Sequence, residues 1–241
     1  MRAHLVTLIA LAATPAAGEF SLTFPLDCRL GDDCYIQQFV DLDPSAGISD
    51  FLCGSLAYDG HKGTDFALPN LVVQAAGVPV LAAADGTVLG VRDDMVDTLQ
   101  LGPDAPDVSN RECGNGVVIQ HKEGYETQYC HMARGSVTVE TGQAVVAGAP
   151  LGLVGLSGQT QFPHLHLSVR KDGKVVDPYN ADGQNTCPDP TLPSLWSEVM
   201  PTPPGGIVNV GLADAIPTFD AVKAGIADTG AKADGPAMVA W

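Results

Sequence analysis

The segment His164-Leu165-His166-Leu167-Ser168-Val169 has the alternation of a strand. Side chains on a strand point to opposite faces in turn, so His164, His166 and Ser168 share one face. Leu165, Leu167 and Val169 share the other and can enter a core. Two imidazoles side by side over an apolar support suit metal binding or proton transfer. Gly60-His61-Lys62-Gly63-Thr64-Asp65 adds an imidazole and a carboxylate. On a helix this spacing would put His61 and Asp65 on one face. Gly60 and Gly63 argue instead for a tight loop running into Phe66-Ala67-Leu68, and the segment is not the helical H-E-x-x-H pattern. Tyr129-Cys130-His131-Met132 ends another β-type run, and alternation puts Tyr129 and His131 on a common face. Taken singly, Gly60 to Asp65 reads as a turn with a solvated His and Asp, His131 as a partly buried, hydrogen-bonded histidine, and the H-x-H pair as structural or surface histidines as readily as ligands. Taken together they supply what a hydrolytic zinc site needs, which is three protein ligands and an open position for water. Two neutral imidazoles and one carboxylate leave the ion with net positive charge. That charge lowers the pKa of a bound water toward about 7 and polarises a carbonyl. Of the remaining histidines, His4 belongs to the N-terminal segment, and His121, beside the Lys122-Glu123-Gly124 turn, reads as a surface residue.

The elements that must position these groups are short. Pro79 to Ala83 leads to Asp85-Gly86 and then to Thr87-Val88-Leu89-Gly90-Val91. Val117-Val118-Ile119 leads to Glu123-Gly124 and then to Tyr125 to Cys130. Leu165 to Val169 leads to Asp172-Gly173 and then to Lys174-Val175-Val176. A Gly-containing pair between apolar runs, Asp-Gly above all, is a hairpin signal. The expected fold class is all-β, an antiparallel two-sheet or flattened-barrel core with a metal site in a groove. An irregular lead-in precedes it and a tail follows. Residues 93–112 break the pattern with acidic residues and two prolines, and read as a long surface loop.

At 241 residues, with 45% hydrophobic and 17% charged residues, the chain can bury a core. Its formal charge of -16 repels nucleic-acid phosphates and argues against docking on anionic membranes. Arg2, the apolar run Leu5 to Ala13 and the small residues up to Gly18 read as a signal peptide cut after Gly18. That run is too short to anchor in a bilayer. The expected location is therefore periplasmic or secreted. Six cysteines lie beyond Gly18 without paired C-x2-C spacing, which favours disulfides over a cysteine zinc site. Cys28 with Cys34 is a plausible local bridge. The expected organisation is a signal peptide over 1–18, a cysteine-bearing lead-in over 19–56, a domain carrying the zinc-ligand candidates over 57–187 and a Pro-rich linker and tail over 188–241. The last residues, Pro236 to Trp241, look like the start of a strand.

Over roughly residues 57–180 the chain resembles the lysostaphin/LytM-type zinc metallopeptidases. The resemblance is carried, in order, by Gly60 to Phe66, Pro79 to Val88, Gly114 to His121, Tyr129 to Met132, Gly142 to Gly152 and Pro163 to Leu167. It implies that His61, Asp65 and His166 hold Zn2+, with His131 and His164 as non-ligand catalytic histidines. It implies an endopeptidase acting on peptidoglycan stem peptides or cross-bridges. Tyr129 would either line the groove or pack as a strand aromatic. The Leu156-Ser157-Gly158 turn and the acidic loop depart from the family pattern, and no ligand position is lost. The alternative is a noncatalytic member of the same fold that binds peptidoglycan or regulates other wall hydrolases; such proteins usually lack zinc ligands.

Overall fold

The computed structural model describes residues 19–183, 193–200, 211–213, 215–227 and 238–240. The expected signal peptide, Cys187 and Pro188, Pro190, Pro201, Pro203 and Pro204 lie outside them. The strands are β1 (Tyr35–Gln38), β2 (Thr64–Ala67), β3 (Pro79–Leu81), β4 (Gly86–Arg92), β5 (Asn115–Gln120) and β6 (Tyr125–Met132). They continue with β7 (Ala144–Val145), β8 (Pro150–Leu153), β9 (His164–Lys171), β10 (Lys174–Val176), β11 (Gly211–Ala213) and β12 (Met238–Ala240). Two short helices, α1 (Leu71–Ala76) and α2 (Phe219–Ala224), and a 3-10 turn at Lys122–Gly124 complete the described elements.

An antiparallel sheet of eight strands dominates. Its order is β1-β2-β9-β6-β5-β4-β7, with β10 paired to β9. β3 and β8 form a separate two-stranded sheet. Leu165, Leu167 and Val169 of β9, Tyr129 of β6 and Val117 and Ile119 of β5 are buried in one cluster with Val80 of β3 and Leu151 of β8. The core thus lies between the large sheet and the small one. This is the all-β, mainly antiparallel architecture expected. The lead-in shares that core: Phe20, Leu22 and Leu26 are buried in it together with Leu195 and Trp196. Phe20 stacks on Tyr125 at 4.0 Å between ring centroids. The terminal strand β12 pairs with β11 within the tail.

Two hairpin signals hold. β5 and β6 are joined through Lys122–Gly124, where Glu123 and Gly124 both have positive φ. β9 and β10 are joined through Asp172 (φ 50°) and Gly173 (φ 77°), the backbone of a tight primed turn. The third signal, Asp85-Gly86, is corrected. β3 pairs with β8, and β4 pairs with β5 and β7. The pair is a crossover between the two sheets, tied down by long-range bonds. Asp85 Oδ1 accepts from Ala147 N at 2.7 Å, and a Cβ on Gly86 would meet the Gln120 carbonyl oxygen at 2.4 Å.

His121 is also corrected. It is 7% exposed and not a surface residue. Its Nδ1 lies 2.8 Å from the Asp85 carbonyl and its Nε2 2.7 Å from Thr127 Oγ1, so the crossover just described covers it. Cys28 is bridged to Cys34, and Cys113 to Cys130. The acidic loop is tied to the body through its carboxylates. Asp93 Oδ1 accepts from Gly135 N, and Asp97 accepts from Arg134 N and Leu156 N. Among the described residues no helix is long and apolar enough to cross a membrane.

Candidate active site

Strand register brings three of the chemistry-bearing segments together. Asp65 on β2 pairs with His166 on β9, and His166 pairs on its other side with Cys130 on β6. His61 comes from the loop before β2. Its N–H donates to Tyr58 O, and its carbonyl accepts from Asp41 N at 2.9 Å. Its Nδ1 donates to the Phe39 carbonyl at 2.6 Å, which leaves the Nε2 lone pair turned inward. That Nε2 lies 3.2 Å from Asp65 Oδ1 and 3.1 Å from His166 Nδ1, and His166 Nδ1 lies 2.8 Å from Asp65 Oδ1. The three ligand atoms of His61, Asp65 and His166 all fall within 4.8 Å of one another. Two imidazole nitrogens and a carboxylate oxygen converging in a buried pocket match the donor chemistry of a catalytic zinc site.

His131 arrives by a route that alternation does not foresee. Its strand neighbour Tyr129 faces the core, wholly buried, and strict alternation would send His131 the same way. His131 has φ 62°, and the β5–β6 register shifts between Asn115 and Val117 beside it. The left-handed residue turns the side chain to the opposite face. The His131 ring then lies 4.7 Å from that of His164 and 6.0 Å from that of His166. A non-glycine residue in this conformation costs about 1–2 kcal/mol, and such strain clusters at functional sites. The shared face of Tyr129 and His131 is thus overturned, and Tyr129 does not line the groove. Its hydroxyl accepts from Ala83 N at 2.7 Å inside the core.

Peptidase family M23 matches residues 59–178, the stretch that contains all five of these residues. Those residues form a peptidase M23 domain. It is 34% identical over 122 residues to the peptidoglycan DD-endopeptidase ShyB of Vibrio cholerae serotype O1, a match covering 51% of this chain and 23% of that relative. It is 32% identical over 120 residues to the DD-carboxypeptidase/endopeptidase Mpg of Neisseria meningitidis serogroup B, covering 49% of this chain and 22% of that one. The chain therefore spans under a quarter of the length of these curated relatives. A solved zinc-containing peptidase from Vibrio cholerae aligns with a TM-score of 0.42 and 27% identity, over 65% of this chain and 39% of that one.

Within the M23 domain the two remaining histidines are oriented from behind. His131 Nδ1 donates to the Ser157 carbonyl at 2.8 Å. His164 Nδ1 donates to the Phe162 carbonyl at 2.8 Å and lies 3.1 Å from Thr160 Oγ1. Both rings therefore turn Nε2 toward the site, and His164 Nε2 is 3.7 Å from Asp65 Oδ1. Burial, and after it the neighbouring His164 and His166, pushes His131 down to about 3. Burial likewise lowers His164. Burial alone would raise Asp65, but the charge of His164 and the hydrogen bonds of His166 and His61 hold its carboxyl well below the usual range. Burial thus disfavours the charged forms of His131 and His164, whereas at His61 burial is outweighed by the hydrogen bond and charge of Asp65, which raise it.

Sequence reasoning missed the residues behind the histidines. Phe39 and Ser157 act on them through backbone carbonyls, which leave no mark in residue type. Ser157 Oγ also accepts from Asn115 N and donates to the Met132 carbonyl, locking the turn against β5 and β6. The acidic loop reaches the same segment: Gln100 N donates to the Thr160 carbonyl at 2.7 Å and Thr98 N to the Leu156 carbonyl at 3.1 Å. Gly63 has a reason of its own. A Cβ there would stand 2.6 Å from His166 Nε2 and 2.6 Å from the Leu167 carbonyl oxygen. Gly63→Ala must push the loop off β9 and separate His61 from His166. It is expected to weaken metal binding by about 10–100-fold, the range for a lost supporting contact, while the protein stays folded. Metal titration alongside circular dichroism checks this.

Proposed function

We propose that the protein is an exported zinc metalloendopeptidase that hydrolyses peptide bonds in peptidoglycan cross-links. His61, Asp65 and His166 hold the metal, and His131 and His164 are the catalytic histidines. The observation that carries this reading is the convergence of all five side chains from separate segments on one buried pocket, with each non-ligand imidazole turned to present Nε2. A zinc ion in that pocket would supply a Lewis acid for the scissile carbonyl and lower the pKa of the attacking water.

The residues of the chain do the rest. His131 and His164 are neutral, and their Nδ1 protons are committed to Ser157 and Phe162. Either Nε2 can accept the proton that the attacking water loses. The imidazolium formed then donates toward the oxyanion or hands its proton to the leaving amine. Asp65, 3.7 Å from His164 Nε2, stabilises that imidazolium. Names of relatives that cut peptidoglycan support the substrate class. The signal-like N-terminus and the disulfides support export to the periplasm or beyond. The test is incubation of the zinc-loaded protein with a cross-linked muropeptide dimer. Mass spectrometry should find two monomers whose masses sum to the dimer plus one water. An intact dimer in the presence of bound zinc would favour the noncatalytic, wall-binding alternative.

A further inference from the structure

Beyond the metal pocket, β9 carries one more group on the same face. His164, His166, Ser168 and Arg170 alternate with the buried Leu165, Leu167 and Val169, and the β6–β9 register runs without a shift from Cys130↔His166 to Glu126↔Arg170. Ser168 is committed, since its Oγ donates to the Lys62 carbonyl at 2.8 Å. Arg170 is half-buried and held. Its Nη1 donates to Gln128 Oε1 at 2.7 Å, and the Gln128 amide is itself fixed by donating to Cys113 Sγ at 3.2 Å. Of the five N–H donors of a guanidinium, this occupies one. Arg170 makes no ion pair among the described residues, and Glu126, its partner in register, is not within ion-pair distance of it. The neighbouring Lys171 is turned away and lies over the Tyr125 ring at 4.7 Å.

In a chain of net charge -16, Arg170 is an oriented, half-buried cation with no carboxylate partner among the described residues. We propose that Arg170, steadied by Gln128, is a carboxylate-binding subsite that selects peptide substrates carrying a free carboxylate a few residues from the cut bond. This rests on the peptidase reading above. Arg170 lies four residues along β9 from His166, about 13 Å at roughly 3.3 Å per residue. A peptide lying extended along β9 rises by the same amount, so the carboxylate belongs about three to four residues from the scissile bond. The fork of the guanidinium matches a carboxylate bidentately, which a lysine does not.

The test compares a muropeptide dimer with free carboxylates against the same dimer after amidation. Wild type is expected to favour the free acid by about tenfold, expressed in KM with little change in kcat, the range of one charge-assisted contact. Arg170→Gln should bring the ratio between the two substrates to about one, and Arg170→Lys should restore part of it. Zinc content of each variant reports whether the pocket is intact. The same pair of ligands is titrated calorimetrically onto zinc-loaded His131→Asn protein, with and without Arg170→Gln, so that the subsite is read even if turnover is absent. A preference in Kd that Arg170→Gln removes supports the subsite in either case. Equal affinity of the parent protein for the two ligands, or a preference that survives Arg170→Gln, overturns it.

Discussion

Asp65→Asn protein is expected to purify without zinc and to leave peptidoglycan uncut. Among the described residues Asp65 is the carboxylate of the His61–Asp65–His166 group, and its Oδ1 stands within 3.7 Å of nitrogens from His61, His164 and His166. Asparagine keeps the shape and removes the charge that balances a cation there. Loss of an outer-shell partner costs about 10–100-fold in metal affinity, and loss of a ligand costs more. His61→Ala should behave alike, since the Phe39 carbonyl exists in this structure to aim its Nε2. Elemental analysis of the purified variants, together with activity, checks both. A variant that retains full zinc would remove Asp65 or His61 from the ligand set.

The second large effect is at His131. His131→Ala should cut turnover by about 10²–10⁴-fold, the range of a general acid–base group, while zinc stays bound. Alanine in the left-handed region also disturbs the backbone, so His131→Asn is the sharper variant. Asparagine tolerates φ near 60° and offers no base. Equal losses in the two variants assign the effect to the imidazole, whereas activity preserved in His131→Asn would reduce the residue to a backbone role. His164→Ala should lose activity to a comparable extent, because its Nε2 sits on the same side of the pocket. Steady-state kinetics with zinc content measured in parallel decides each case.

Much of this was legible in residue order. The face shared by His164 and His166 follows from strand alternation, and their core-facing neighbours Leu165 and Leu167 are fully buried as that alternation requires. Pairing was not legible, because register depends on contacts between distant strands. Asp65 opposite His166 is a fact of the β2–β9 ladder. Asp85-Gly86 carries a local hairpin signal that long-range bonds to Ala147 and packing on Gln120 override. His121 sits beside a turn that is polar by sequence, yet Phe20 of the lead-in packs near its ring at 5.4 Å. His131 marks the limit of the alternation rule: one left-handed residue reverses the face of a side chain, and no composition signal announces it. Cys28–Cys34 could be read from spacing, whereas Cys113–Cys130 needs the β5–β6 hairpin to bring its ends together.

The most direct measurement is digestion of purified peptidoglycan sacculi by the purified protein, run with zinc, with a chelator, and with zinc restored after chelation. The account predicts loss of cross-linked fragments with zinc, none with chelator, and recovery on adding zinc back, with the released termini naming the bond. Sacculi left fully cross-linked by protein shown to hold zinc, or cleavage that persists unchanged without metal, would contradict it.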